Sequence, residues 1–455
     1  MNHAASLFGT DGIRTRIGTS PLTPHELTQL GYAIGVWALE RYGSGAKILL
    51  GTDTRASADW MYSALAAGLL LNSIELVHAG VMPTPAVFLL TQKSSYFYDA
   101  GIVITASHNE HWDNGIKIID HIAGKITAAD EIRITELFYA GVTPTYALFG
   151  KVGYWNDAHT AYTQALREHI PTLDLTDTSI VLDCAHGALS SIAPDLLRSY
   201  GATVHTLNAS PTGTNINSNG GANNPRVLQE AIRTYNGTIG FAFDGDGDRV
   251  TIVNKAGMVK NGDDILALLS MHPAYADSGT VIGTEITNEG LAHFFSAQNK
   301  VLKRTPVGDK YIAQALQATH QTEALLGGEQ AGHILMRDFQ LCSDGLFTAL
   351  RILEYMYLSG NSMLDSFTHL PETSINIRTS YKPALTDGPL ADILQCYQEK
   401  IVQAAGRLIV RYSGTEPLLR IQVQAADKVF ADTLAHDISY QLTTLLDSLK
   451  QKDLP

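Results

Sequence analysis

The chain has 455 residues, 45% of them hydrophobic and 17% charged, with 32 Lys and Arg against 45 Asp and Glu and a formal net charge of -13. That length exceeds what one hydrophobic core serves and calls for three or four domains of roughly 100 to 150 residues each. The acidic balance excludes a general affinity for nucleic acid or anionic membrane, so any phosphate must bind at a local site.

The first unit opens on Phe8-Gly9-Thr10-Asp11-Gly12-Ile13-Arg14, a turn-rich stretch with one acid and one base. Thr23-Pro24-His25-Glu26 has the form of a capping box, and Leu27, Leu30, Ile34 and Trp37 continue at helical spacing, so a helix follows and buries that face. Ala46 to Leu50 reads as a strand ending in Gly51-Thr52-Asp53-Thr54-Arg55, Trp60 to Ile74 as a helix, Glu75 to Ala79 as a strand and Pro85 to Thr91 as a short helix. The apolar run Gly101-Ile102-Val103-Ile104 is then a buried strand, with Thr105-Ala106-Ser107-His108-Asn109-Glu110 at its carboxyl end, where ligands sit in open α/β sheets. Ser107 there either caps the next turn or presents a hydroxyl, held by a rigid strand, that can carry an acyl or phosphoryl group. Asp113-Asn114-Gly115-Ile116-Lys117 follows, an Asn-Gly turn signal in which Lys117 is a solvated edge lysine or a phosphate contact. Alternating strands and helices argue for a mainly parallel sheet covered on both faces.

Ala140 to Trp155 shows no clear period and carries Gly141, Pro144 and Gly150, which sets a first boundary after residue 147. A second α/β set, to residue 254, takes Ser179 to Cys184, Ala202 to Leu207 and Thr238 to Phe243 as strands and Ile192 to Tyr200 and Pro225 to Tyr235 as helices. Its polar loop, Asn208 to Asn224, is long enough to carry function. The last of these strands runs into Asp244-Gly245-Asp246-Gly247-Asp248-Arg249, with the apolar run Val250 to Val253 behind it. Carboxylates at alternating positions, separated by glycines that let the backbone fold tightly, converge on one hard cation. A calcium loop of the EF-hand type needs glycine and glutamate where this chain has Arg249 and Lys255, and strands rather than helices flank the stretch. Three close carboxylates repel one another without a cation. Magnesium leaves coordination positions for a phosphate oxygen. A phosphorylated Ser107 would supply that oxygen and make the two loops one site.

The third set, residues 255 to 368, takes Asp264 to Ser270, Leu291 to Gln298 and Ser343 to Tyr357 as helices and Thr280 to Glu285 and Val301 to Thr305 as strands. Within it Gly327-Gly328-Glu329-Gln330-Ala331-Gly332-His333 describes a loop whose backbone approaches a ligand closely, with one carboxylate to accept sugar hydroxyls. The last unit, 369 to 455, has the order strand, helix, strand, strand, helix. Its Arg411-Tyr412-Ser413-Gly414-Thr415-Glu416-Pro417 combines a planar fork, two hydroxyls and an exposed backbone N–H, either a plain hairpin turn or a pocket for a phosphate dianion. Cys184, Cys342 and Cys396 lie far apart with no C-x-x-C pairing, which argues against a disulfide framework or a zinc site. The start lacks signal-peptide character and no apolar run reaches about 18 residues, so the expected location is the cytoplasm.

With these four loops in order, the chain is similar to the α-D-phosphohexomutase superfamily over essentially its whole length, with T-A-S-H-N-E, D-G-D-G-D-R, G-G-E-Q-A-G-H and R-Y-S-G-T-E-P falling one per domain. F-G-T-D-G-I-R, G-V-M-P-T-P, D-N-G-I-K, G-T-N-I-N and the pair Glu329-Gln330 resemble the members that act on glucosamine phosphates. The resemblance implies an α/β fold, three similar mixed-sheet domains plus a smaller α+β C-terminal domain around a central cleft. It implies Ser107 as a phosphoserine, and Asp244, Asp246 and Asp248 with the Ser107 phosphate as ligands of one Mg²⁺ per chain. Arg14, Lys117 and Arg249 then line the reaction centre, Glu329, Gln330 and His333 meet the sugar, and Arg411, Ser413, Gly414 and Thr415 hold the non-reacting phosphate. Proton transfer stays open among Lys117, His108, His333 and Asp11.

The implied activity is an isomerase's: glucosamine 6-phosphate and glucosamine 1-phosphate interconvert through the phosphoserine and a sugar 1,6-bisphosphate, which is also the activator, in amino-sugar nucleotide and cell-wall precursor synthesis. The same chemistry on glucose or mannose phosphates is the first alternative, with a metal-dependent sugar phosphatase or a non-catalytic sugar-phosphate sensor further off. The implied partner is a small phosphosugar, with neither nucleic acid nor membrane, and no oligomeric state is set. Ala331 and Tyr412 depart from the superfamily's usual serine and proline, which bears on substrate preference rather than on the metal or the nucleophile, and Glu110 stands where proline often follows Ser-His-Asn.

Overall fold

The computed structural model describes residues 6–93, 95–143, 149–413 and 417–452. The chain forms two compact units, Met1–Ile282 with Thr305–Asp365, and Gly283–Arg304 with Ser366–Pro455.

The larger unit holds the serine loop and the acidic loop on two sheets. The first contains β1 (Ile13–Arg16), β2 (Lys47–Thr52), β3 (Glu75–Val81), β4 (Ala100–Ile104), β5 (Asp113–Asp120), β6 (Gly124–Lys125) and β7 (Lys151–Tyr154), in the order β1-β5-β4-β2-β3-β7 with β6 on β5. The β4-β2-β3-β7 side is parallel, while β5 runs antiparallel to β4 and β1, so the sheet is mixed. Every residue of β4 is buried, as a β-branched run without alternation requires. Helices Pro24–Tyr42 and Ala58–Leu69 bring Leu27, Leu30, Ile34, Trp37, Leu65 and Leu69 against Ile48, Leu50 and Ile102 of the sheet.

The second sheet contains β8 (Ser179–Asp183), β9 (Thr203–Leu207), β10 (Ile239–Phe243), β11 (Val250–Asn254) and β12 (Val259–Lys260), ordered β12-β11-β10-β8-β9. β10 lies parallel to β8 and antiparallel to β11, so the acidic stretch between β10 and β11 is a tight reversal at the sheet's end. β13 (Thr280–Thr284) pairs parallel with β15 (Leu326–Gly328), which pairs antiparallel with β16 (Ile334–Met336). The smaller unit holds most of β14 (Val301–Thr305) and a sheet of β17 (Glu372–Arg378), β18 (Arg407–Tyr412) and β19 (Leu418–Gln424), ordered β17-β19-β18. Leu390, Tyr397 and Ile401 of one helix and Ile438 and Leu442 of another pack on Leu419, Ile421 and Val423 of β19.

Two local expectations change. Asn114-Gly115 is not a turn but the interior of β5, because tertiary packing claims both residues: Asn114 Nδ2 donates to Ser57 Oγ at 2.7 Å, and a Cβ on Gly115 would lie 2.4 Å from Ile13 O. The helix expected to run to Ile74 stops at Leu69, where the chain turns and the buried Asn72 donates back to Tyr32 O at 3.3 Å. Among the described residues no helix is long and apolar enough to cross a membrane.

Candidate active site

β4 delivers Thr105 and Ser107 beyond the sheet's end, and Ser107 is 1% exposed with a φ of 52°. Its Oγ donates to Asp244 Oδ2 at 2.7 Å, and His108 Nδ1 lies 3.3 Å from the same Oγ. The two motifs, more than a hundred residues apart, therefore meet. The backbone approach is equally close, since a Cβ on Gly245 would lie 2.6 Å from Ser107 O; glycine is what lets the acidic loop pack there.

Asp244, Asp246 and Asp248 are buried, and their ligating oxygens lie within 4.8 Å of one another. Lys117, pointing from β5, sits 2.8 Å from Asp246 Oδ2 and 2.9 Å from Asp248 Oδ2, with Asp11 Oδ2 at 3.1 Å. Thr84 fastens the same loop, its Oγ1 donating to Asp246 Oδ2 at 2.5 Å and its N–H to Asp246 O at 2.9 Å. Burial, then the charges of Asp248 and Asp246, pushes the Asp244 carboxyl well above the usual range. Burial acts the same way on Asp248, but the Lys117 ammonium outweighs it and holds that carboxyl at about 2. Burial disfavours charge on Lys117 too, yet Asp11, Asp246 and Asp248 raise it well above an ordinary lysine.

Asp11, Asp246 and Asp248 thus share one ammonium, and Asp246 Oδ1 and Asp248 Oδ1 stay buried without a hydrogen-bond partner. Such an all-oxygen donor set with free lone pairs fits a hard divalent cation, and the residues present can hold a metal ion.

The remaining expected residues gather around this core to differing degrees. Arg14 pairs with Asp11, and although burial opposes its charge, Asp11, Asp246, Asp248 and Asp244 raise its pKa. Arg249 donates from Nε to His333 Nε2 at 2.8 Å and lies 4.0 Å from Asp244 Oδ2. Because a guanidinium only donates, His333 Nε2 is the acceptor of that bond. Its Nδ1 is 2.9 Å from Ser343 Oγ and 3.5 Å from Asp248 Oδ1, and its Nε2 is 3.8 Å from Glu329 Oε1. Glu329 Oε2 accepts the N–H of Gly308 at 3.1 Å, while Gln330 is half-buried and its carbonyl takes the N–H of Gly262. His108 is brought down to about 4 by burial first, then by Arg249 and Arg14.

In the smaller unit, β18 ends at Tyr412, and Ser413 N donates to Leu418 O at 2.8 Å. Arg411 stands opposite Arg420 in the β18-β19 register, and burial followed by that neighbour's charge lowers its pKa. Gly414 and Thr415 lie outside the described residues.

Several supporting residues carried no separable signal. Lys125 bridges Asp11 Oδ1 at 2.6 Å and Asp309 Oδ1 at 2.7 Å. Thr84 lies in the G-V-M-P-T-P run, and Asp309 in Val307-Gly308-Asp309-Lys310-Tyr311; those runs were the only pointers to either.

Comparison with known proteins follows the same order of parts. Phosphoglucomutase/phosphomannomutase family models match the chain as alpha/beta/alpha domain I over residues 5–143, domain II over 160–257, domain III over 261–373 and the C-terminal domain over 377–440. The phosphoglucosamine mutase of Psychrobacter cryohalolentis is 35% identical, covering 97% of this chain and 100% of that protein. The structure of a phosphoglucomutase/phosphomannomutase family protein from Burkholderia thailandensis covers 97% of this chain and 98% of that one, with a TM-score of 0.79 at 21% identity. That of N-acetylphosphoglucosamine mutase from Aspergillus fumigatus, solved with GlcNAc-6P and magnesium, covers 96% and 95% with a TM-score of 0.65 at 16% identity. Both likenesses speak for the shared fold. A relative matched from end to end shows more: the chain belongs to the phosphoglucomutase/phosphomannomutase family, among its phosphoglucosamine mutases, which are isomerases.

Proposed function

We propose that Ser107 is the phosphoryl carrier in the interconversion of glucosamine 6-phosphate and glucosamine 1-phosphate. The observation that carries this is the 2.7 Å contact from Ser107 Oγ to Asp244 Oδ2. A carboxylate that accepts the serine hydroxyl would face the phosphate once the serine is esterified, and two anions so placed need a cation between them.

In the forward direction the Oγ–P bond of phosphorylated Ser107 breaks as a bond forms from phosphorus to the sugar's O1. The hydroxyl proton of O1 leaves, and Ser107 Oγ is reprotonated. The resulting 1,6-bisphosphate turns over, Ser107 Oγ gives up its proton as it takes the phosphoryl group from O6, O6 takes up a proton as the O6–P bond breaks, and the 1-phosphate departs. Arg14, Lys117 and Arg249 stand as fixed cations around the moving group. Lys117 is committed to Asp11, Asp246 and Asp248, so it serves as charge rather than base, and proton exchange at Oγ falls to His108, 3.3 Å away. A magnesium ion, one per chain, held by Asp244, Asp246 and Asp248, would neutralise charge on the phosphoryl oxygens. Glu329, Gln330 and His333 take the sugar hydroxyls, and the loop Arg411 to Thr415 takes the phosphate that is not transferred. The like-charged neighbours Arg411 and Arg420 favour such an anion. A sugar 1,6-bisphosphate charges Ser107 at the outset, in a cytoplasmic route to amino-sugar nucleotides and cell-wall precursors.

Intact mass with peptide mapping is expected to place one phosphate on Ser107. Catalytic efficiency is expected to be highest on glucosamine phosphate among glucosamine, glucose and mannose phosphates. Full turnover by Ser107→Ala, or a preference for mannose phosphate, would overturn the carrier or the substrate respectively.

A further inference from the structure

Just beyond β2, Asp53 and Arg55 are 1% and 2% exposed, and no step above uses them. Arg55 Nε is held by Asp53 Oδ2 at 2.9 Å, which aims the guanidinium at the serine loop. Nη2 donates to the carbonyls of Ser107 at 3.0 Å and Asn109 at 2.8 Å, and Nη1 to those of Glu110 at 2.5 Å and Asp113 at 3.0 Å. Asp53 also accepts from Thr105 Oγ1 at 2.7 Å, and that oxygen accepts the N–H of Ser107 at 2.9 Å.

A second donor comes from the long polar loop of the second sheet. Asn217 Nδ2 donates to Ser107 O at 2.8 Å and Asn109 O at 2.9 Å, the same two carbonyls that Arg55 Nη2 holds. The two segments are also tied directly, Ala56 N donating to Gly213 O at 2.9 Å, and Thr54 Oγ1 donates to His186 O beyond β8 at 2.6 Å. Ser107 is held in the left-handed region, which side-chain-bearing residues avoid unless their surroundings enforce it.

We infer that Arg55 and Asn217 are positioning residues for the phosphoryl transfer: by pinning the carbonyls of Ser107 and Asn109 from two sides they set the direction of Ser107 Oγ. Asn208 to Asn224 thereby acquires a task, to deliver Asn217. This rests on Ser107 as the carrier.

The test compares Arg55→Lys and Asn217→Ala with the parent chain for kcat, KM, melting temperature and phosphate on Ser107. Lysine keeps a charge for Asp53 but has no planar fork for two carbonyls, and alanine at 217 removes the amide of a half-buried side chain while adding a left-handed backbone cost at φ 58° that the melting temperature reads separately. Misaimed nucleophiles lose turnover rather than binding, so kcat is expected to fall about 100-fold in Arg55→Lys and about 10-fold in Asn217→Ala, with KM within about two-fold. Folded variants that carry the phosphate and keep the parental kcat, or that raise KM alone, would overturn the inference. If Arg55→Lys does not fold, Asn217→Ala decides by itself. A parent chain without phosphate on Ser107, paired with an active Ser107→Ala, would instead sink the carrier assignment.

Discussion

At Arg351 and at Lys117 the larger unit buries two clusters of charge, and they are completed in different ways. Arg351 Nη1 lies 2.6 Å from Glu354 Oε2 and Nη2 2.8 Å from Asp338 Oδ2. Tyr275 donates to Asp338 at 3.0 Å, and His272 and His169 stand 3.1 Å from Glu354 and Asp338. Both carboxyls are held below their ordinary values, against burial, by these neighbours. Around Lys117 the acids outnumber the base, Asp244 is driven the other way by burial and by its own neighbours, and two buried oxygens stay open. Among the described residues around Arg351 only its own Nε is left without a partner, and acids whose charge is matched in this way are what a cluster needs if it serves the fold. Open valences, with like charges pressed together, cost stability and are kept where something transient must bind.

That contrast predicts a double dissociation between activity and stability. The largest effect belongs to the open cluster. Asp246→Asn is expected to lower kcat about 1000-fold, equivalent to about 4 kcal/mol of transition-state stabilisation. Without added metal its denaturation midpoint should match or exceed the parent's, because one of three mutually repelling charges is gone. A midpoint well below the parent's, with turnover retained, would make Asp246 a structural acid and erase the distinction.

The closed cluster should respond in reverse. Arg351→Met leaves Asp338 and Glu354 without their shared cation and is expected to cost about 3 kcal/mol of folding stability, the lower end for breaking a buried pair since both acids keep some solvent contact. The kcat of the folded fraction should stay within about two-fold of the parent's, since Arg351 contacts none of the site residues in the proposed mechanism. Urea titration and steady-state rates on the same sample measure both quantities. A kcat collapse at unchanged midpoint would show that the two clusters are not separate.

Much of the open cluster could be read in the sequence, and almost none of what supports it. The three aspartates alternate with glycine, a local pattern with few competing explanations, and Ser107 and Lys117 stand in short polar runs beside buried strands, where capping and an exposed edge competed with chemistry until the aspartates were read with them. Arg55 and Asn217 are single polar residues in ordinary surroundings, and their importance lies in which distant carbonyls they reach. Asp11 and Asp309 meet through Lys125 only in three dimensions. Asn114-Gly115 misled because turn chemistry is a local preference, while the need for a glycine beside Ile13 O is a packing constraint that no local window contains. Alternation of strands and helices conveyed the fold class. Where each helix stopped depended on single contacts such as that of Asn72 with Tyr32 O.

The smallest of the three effects concerns the residue joining the clusters. Asp344 caps the helix Gly345–Ser359, which carries Arg351 and Glu354, by accepting from Phe347 N at 2.9 Å, while the next residue's N–H reaches Gly247 O in the acidic loop at 3.0 Å. Burial raises its carboxyl to about 6, against the opposing hydrogen bonds from Phe347, Tyr162 and Gln340. The folded chain therefore keeps a proton that the unfolded chain has lost above about pH 4, so this group's stabilisation is full below that point, falls as pH rises and is gone above about pH 6. Asp344→Asn keeps an acceptor for Phe347 N and Tyr162, and its new amide N–H can be taken by Gln340 Oε1, now buried without a partner. Relative to the parent, the asparagine variant is expected to gain up to about 3 kcal/mol between pH 4 and pH 6 and nothing further above it. Urea midpoints of both chains at half-unit steps from pH 4 to pH 8 would show this, and a difference that stays flat across the range would mean that Asp344 titrates like an exposed acid and that the helix cap carries no buried proton.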